Sequence, residues 1–269
     1  MAQEIILKST SALNRVDSYK LDTNLVEAYI VVDETSSTIT TTHWKINKSC
    51  NIARKEIQSS INVEQNGMEI SSFEVYIVAG WTYLNQVLPV VYGGSSASWV
   101  KQGLTDETWM RESQICPQIE LLKTPSKVDL AGSENVNGVD CYVLNVIPTA
   151  KSMADWVLSQ QQANGPSLYW WRITAEWSRE IYAKAYKNSF AKLWIAKDSH
   201  LVIKTDISAL FEITPSILKP ADVPLCNTEV TCYGFDKITV DFHWQMNYSN
   251  YNLPVSIELP EEALNTQEY

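Results

Sequence analysis

Apolar and polar residues alternate along most of this chain at a period of two, the spacing of a strand with one buried face. Tyr19 to Val32 places Tyr19, Leu21, Leu25, Tyr29 and Val31 on one face and Lys20, Asp22 and Asn24 on the other. A turn at 33–37 leads into a Thr-rich, β-branched stretch, Ser37 to Lys48. Ile52 to Glu64 and Met68 to Val78 flank Gln65-Asn66-Gly67, a hairpin signal, because Asn and Gly accept the positive φ of a tight turn. Phe73, Val75, Ile77, Ala79, Trp81 and Tyr83 then alternate through two pieces with a bend at Gly80, and Trp99-Val100-Lys101 reads as a short edge strand. A second hairpin spans Val128–Pro148: an arm ending near Ser133, a turn at Asn135–Gly138, and a returning strand from Val139 to Ile147 stopped by Pro148. Phe190–Lys197 and Leu201–Ile213 make a third. In its second arm Leu201, Ile203, Thr205, Ile207, Ala209, Phe211 and Ile213 face away from Lys204, Asp206, Ser208 and Glu212. The last strand sets Ile238, Val240, Phe242, Trp244, Met246 and Tyr248 against Lys237, Thr239, Asp241, His243 and Gln245.

Helical spacing interrupts this pattern in four places. Residues 3–16 carry Ile5, Ile6, Leu13 and Val16 on one side. Thr105 with Asp106 and Glu107 marks a helix start, continuing to about Leu122 with Pro117 splitting it in two. Residues 150–162 form a third helix, stopped by Asn164-Gly165-Pro166. Trp177, Ile181 and Ala185 favour helix within 168–187, where Trp170-Trp171 would make a sticky surface if exposed. The Gly/Ser-rich stretch 89–97 and the segment holding Pro215, Pro220 and Pro224 read as loops. The sum is an α+β fold, mainly antiparallel β: one large curved sheet with helices against one face, in a single domain over 1–269.

Composition narrows the function. The chain has 269 residues, 45% hydrophobic, with Trp 10 and Tyr 13 against Phe 5. Amphipathic rings suit partly wet walls and binding surfaces, and they also fill ordinary cores. A net charge of −10 argues against nucleic acid as a partner and against docking on anionic lipid through a polybasic patch. No apolar run reaches the length of a transmembrane helix. Met1-Ala2-Gln3-Glu4 lacks the basic and apolar regions of a signal peptide, so any leader is expected to be missing from this sequence. The five cysteines (Cys50, Cys116, Cys141, Cys226, Cys232) and three histidines (His43, His200, His243) show no metal-ligand spacing, so no metal or cofactor is expected. Cys226 and Cys232 flank a short loop that a local disulfide could close. The sequence contains no nucleophile elbow, zinc-protease motif, phosphate loop or dinucleotide fingerprint, and Gly93-Gly94 lacks the Lys that a phosphate loop needs. His43 and His243 read as strand residues, and Asn47-Lys48-Ser49 and Asn247-Tyr248-Ser249 match the glycosylation pattern.

Three stretches carry a family resemblance. The hairpin with Gly132-Ser133-Glu134 and Asn137-Gly138-Val139-Asp140-Cys141-Tyr142-Val143-Leu144 resembles one found in the LolA-like lipoprotein carriers, the superfamily that includes LppX- and LprG-like proteins. Leu193-Trp194-Ile195-Ala196-Lys197-Asp198 is similar to a second hairpin of that family, and Tyr248 to Asn252 with Pro254, Val255 and Ile257 to its closing segment. Ala196 stands where the family usually has Asp, and 160–187 reads as an insertion. The resemblance implies a half-open β-barrel of ten or eleven strands, with helices covering the concave face over an apolar cavity. It also implies an extracytoplasmic setting, peripheral attachment to a membrane through an N-terminal lipid anchor absent from this sequence, and a lipid, a lipoprotein acyl chain or an envelope protein as partner.

On this reading the cavity walls are Trp81, Tyr83, Leu144, Phe211, Phe242 and Trp244, with Trp109, Met153 and Trp156 reaching in from the helices. Such a site needs apolar area and few directed bonds, since burial alone contributes about 25 cal/mol per Å². Alternation reports a buried face and is silent on whether the space beside it is filled. Two functions therefore stay open: a non-enzymatic carrier or binder of lipid, and a sensor or protein-interaction module on the same scaffold.

Overall fold

The period-two stretches form eleven strands of one antiparallel sheet, in a computed structural model that describes residues 1–33, 35–87, 98–115, 121, 125–163, 175–217 and 235–268. The first six are β1 (Ser18–Val32), β2 (Ser37–Asn51), β3 (Glu56–Gln65), β4 (Met68–Val78), β5 (Trp81–Val87) and β6 (Ser98–Gly103). The other five are β7 (Pro125–Val136), β8 (Val139–Pro148), β9 (Tyr186–Ala196), β10 (Val202–Ile213) and β11 (Lys237–Ser249). Each group runs back and forth in chain order, and pairing of β1 with β11 joins the two. β6 and β7 are the outer edges and do not pair, so the sheet stays open. The helices are α1 (Ala2–Leu13), α2 (Asp106–Glu112), α3 (Ala150–Ala163), α4 (Ala175–Ala185) and α5 (Glu261–Leu264).

Local chemistry accounts for the reversals. Asn66 and Gly67 take φ of 50° and 80°, and Asn137 and Gly138 take 50° and 86°, the paired positive values that match the twist of adjoining strands. Between β1 and β2 the Asp33 carboxylate accepts the backbone N–H groups of Thr35 (2.8 Å) and Ser36 (2.6 Å) and both their hydroxyls. Those donors, led by the Ser36 hydroxyl, hold its pKa down to about 2.

One face of the sheet carries helices α1 to α4. Tyr19, Leu25, Cys50, Ile57, Ile77, Leu144, Leu193, Ile207 and the even-numbered residues of β11 are buried there with Ile5, Leu13, Met153, Trp156 and Val157. Ile46, Ile61, Val63 and Phe73 extend this face along β2 to β4. The opposite face has two smaller clusters: Cys141, Val143 and Trp194 on β8 and β9, and Tyr76 and Tyr83 beneath Val255, Ile257 and Ala263.

Some boundaries differ from the sequence expectation. β2 continues to Asn51 and residues 52–55 turn, so Ile52 does not begin a strand. α2 ends at Glu112, and 116–120 and 122–124 lie outside the described residues. Within 168–187, residues 175–185 are helical, Tyr186 already belongs to β9, and Trp170-Trp171 are outside the described residues, as are Gly93-Gly94. A register shift between Val202 and Lys204 breaks the expected alternation. Val202 is fully buried on the covered face, while Ile203 turns outward to the Trp194 cluster, because a bulge moves every side chain before it to the other face. Cys50 and Cys141 are buried free thiols, and Cys116, Cys226 and Cys232 lie outside the described residues.

Candidate functional site

The covered face is built around a run of aromatic rings that ties two helices to the middle of the sheet. Trp156 of α3 meets Trp244 of β11 edge-on, with centroids 4.6 Å apart. Trp244 stacks on Phe242 at 4.8 Å, and Phe242 meets Phe211 of β10 at 5.8 Å. Phe211 in turn meets Tyr182 of α4 in a T-shaped pair at 5.2 Å. Pairs of this kind contribute about 0.5–1.5 kcal/mol each beyond the area they bury.

The helices are placed by their own sequences. The Thr149 hydroxyl accepts the Ser152 backbone N–H at 3.1 Å, capping α3, which turns Met153, Trp156 and Val157 onto the sheet. Arg179 of α4 pairs with Asp155 of α3. At another part of the face the Thr105 hydroxyl caps α2 by accepting the Thr108 N–H, and Lys48 of β2 lies 3.5 Å from the largely buried Glu112 carboxylate. The Tyr19 hydroxyl donates to the Gln114 carbonyl at 3.0 Å, fixing the residues that follow α2.

Seven of the nine residues expected to line a cavity belong to this body: Leu144, Phe211, Phe242, Trp244, Met153 and Trp156 are buried within it, and half-buried Trp109 packs against it. Trp81 and Tyr83 do not. Both sit on the opposite face with Tyr76, Trp99 and the segment after β11. The tight turn at Ala79 and Gly80 (φ of 51° and 81°) begins a new strand whose parity is independent of β4. There Lys101 places its ammonium 4.2 Å from the centre of the Trp81 ring.

The sequence reading passed over a polar group on the covered face. Glu27 lies between Leu25 and Tyr29 on β1, directly across from Thr42 of β2 and Phe242 of β11, and is 9% exposed. Burial pushes its carboxyl up to about 7, against the opposing pull of donors on Trp44 and Tyr29. The Tyr29 hydroxyl donates to it at 3.4 Å, and the buried Trp44 indole N–H acts on the same carboxyl from outside ordinary hydrogen-bond geometry. Tyr182 of α4 and Glu27 act with burial to raise the Tyr29 phenol. The signal was present in the sequence: a carboxylate in the alternating apolar series of β1.

His43 and His243 are exposed on the far side of β2 and β11, with His243 Nε2 3.5 Å from Asp206. Among the described residues no three His, Cys, Asp or Glu side chains gather as metal ligands, and no helix is long and apolar enough to cross a membrane.

An open antiparallel sheet with its four longer helices on one face is the class these features define. Among solved structures the chain is similar to LprF from Mycobacterium bovis, at 12% identity and a TM-score of 0.45 over 96% of each chain. It is similar also to lipoprotein LppX from Mycobacterium tuberculosis, at 13% identity and a TM-score of 0.41 over 95% of this chain and 97% of that one. A third likeness is a putative outer membrane lipoprotein-sorting protein domain from Vibrio parahaemolyticus, at 13% identity and 0.29 over 98% and 97%. No family model and no curated protein matches the sequence.

Proposed function

We propose that this chain binds the acyl part of a lipid, or of a lipoprotein, between the covered face of its sheet and helices α3 and α4. The observation that carries this reading is the ring series Trp156–Trp244–Phe242–Phe211–Tyr182. At that series α3 and α4 meet the sheet through apolar ring contact. A methylene chain can replace such contact without leaving a buried donor or acceptor unpaired, and each buried CH₂ contributes about 0.8 kcal/mol. The setting that suits such a binder is extracytoplasmic, with attachment to a membrane through an N-terminal lipid anchor. Carriage of the ligand to a second envelope protein belongs to the same reading, in one domain and without a cofactor.

Native mass spectrometry of gently extracted protein, followed by titration with decanoyl ligands below their micelle-forming concentration, tests it. The expected result is a co-purifying lipid or a saturable one-to-one complex, weakened at least tenfold by Phe211→Ala. A chain that carries no lipid and takes up none sinks the proposal and leaves the interaction module as the reading of this scaffold.

A further inference from the structure

We infer that Glu27 and Tyr182 form a proton-operated latch: with the carboxyl neutral α4 lies closed on the sheet, and with the carboxyl ionised α4 swings away about its junction with β9. The latch is a property of the fold and holds whatever the covered face binds. Glu27 stands on that face directly across from Phe242 of β11 and Thr42 of β2, and is 9% exposed. Phe242 meets Phe211, and Phe211 meets Tyr182 of α4, so two rings separate the acid from the helix. Tyr182 also acts on the phenol of Tyr29, whose hydroxyl donates to the carboxyl. The groups facing Glu27 are therefore Tyr29 of its own strand, Thr42 and Trp44 of β2, Phe242 of β11 and, through Tyr29, Tyr182 of α4. Trp44 and Tyr29 donate toward the carboxyl without carrying charge, and none of the described groups acting on it is a cation.

A carboxylate without a cation has to reach water, and the sheet cannot bring water to it. β1 is held on both sides by ladders with β2 and β11 that run nearly its whole length. α4 is attached more lightly. It passes into β9 at Ala185–Tyr186 with no loop between, and that end is fixed: Ala185 is fully buried, and the Tyr186 hydroxyl donates to the Pro148 carbonyl at 3.3 Å. One turn back Tyr182 rests on Phe211. Beyond it the Arg179–Asp155 ion pair is exposed on both sides, and such pairs contribute little. Lifting α4 about its fixed end is thus the local opening that gives Glu27 water while every strand stays paired. Burial holds the closed carboxyl up to about 7, against 4.5 for a hydrated one, so the open form binds the proton less tightly and gains as pH rises. Linkage makes the open-to-closed ratio rise about 25-fold between pH 5.5 and pH 8, with the increase levelling off above pH 7.

Hydrogen exchange of the full chain, read by mass spectrometry from pH 5.5 to pH 8 and corrected for the intrinsic pH dependence of amide exchange, tests the latch. Protection of peptides covering 175–185 is expected to fall by about that factor and to level off above pH 7. At every pH these peptides should stay far less protected than those of β1, and low urea should speed exchange in β1 while leaving α4 unchanged, because a local opening exposes little surface. Glu27→Gln should make the α4 protection independent of pH. Tyr29→Phe removes a donor that favours the ionised carboxyl and should move the levelling point to higher pH, a shift that a merely structural role would not produce. Protection of α4 that does not change with pH in the wild type, that matches β1 in size and urea dependence, or that keeps its slope in Glu27→Gln overturns the latch. The wild-type profile and Tyr29→Phe decide the matter even if Glu27→Gln does not fold.

Discussion

Glu27 is a carboxylate inserted into an apolar series, and its effect on the free protein has a definite sign. Its folded pKa, about 7, lies above the ordinary carboxylate value of 4.5, so the folded protein holds the proton more tightly than the unfolded chain. Stability from this group is therefore full below pH 4.5, declines as pH rises to 7, and is level beyond. The penalty at pH 8 is about 3 kcal/mol, at roughly 1.4 kcal/mol per pKa unit. Glu27→Gln should remove that slope. Urea unfolding of the two proteins at pH 4.5 and pH 8 is expected to give a stability difference that grows by about that amount toward the higher pH, and a constant difference would refute the buried carboxyl. The parity of β1 already put Glu27 on the same side as Leu25 and Tyr29. Parity reports a face and leaves depth unstated, so the sequence alone could not separate a buried acid from a rim one.

At the level of single elements the turns were the most legible features, because their chemistry is local. Gly138 at φ 86° has open space where a Cβ would lie, so a substitution there is strained by the backbone conformation alone. Gly138→Ala should lower stability by about 1 kcal/mol, whereas Asn137→Gly should be near neutral, both read from urea midpoints. An equal loss in both would mean that the Asn135–Asp140 contact at 2.9 Å, rather than the turn dihedrals, sets the reversal. The bulge before Lys204 had no comparable signal. Ile203 and Val202 are both β-branched strand formers, and only the pairing of β10 with β9 decides which of them points inward. Turn residues carry their own conformational preference, and bulges are settled by a neighbouring strand.

Across the whole molecule the strands were legible and the layers were not. Trp81 and Tyr83 alternate as cleanly as Phe242 and Trp244, yet they face the other way, because Val255, Ile257 and Ala263 cover the outer surface of β4 and β5. A segment without periodicity gives no sign in sequence that it will serve as a cover. Ile257→Asp places an uncompensated charge in that outer cluster and should cost about 3 kcal/mol, with increased binding of an apolar dye. The near-ultraviolet circular dichroism of the Trp156–Trp244 pair should persist at temperatures below the lowered transition, since the pair lies on the opposite side of the sheet. Loss of that signal at all temperatures would show the two faces to be one cooperative unit.

The joint between β1 and β11 also sets the order of events when the chain acquires its structure. All thirteen residue pairs of that ladder, from Lys20 with Ser249 to Val32 with Lys237, connect stretches about two hundred positions apart. Each group of strands can assemble from near neighbours, but their union must wait for loop closure across nearly the whole chain. During synthesis β1 therefore spends most of the time with one unpaired side, available to any other extended peptide. The lysine and acidic side chains of Lys20, Asp22 and Glu27 along that strand then act as gatekeepers against self-association, well before any ligand is present.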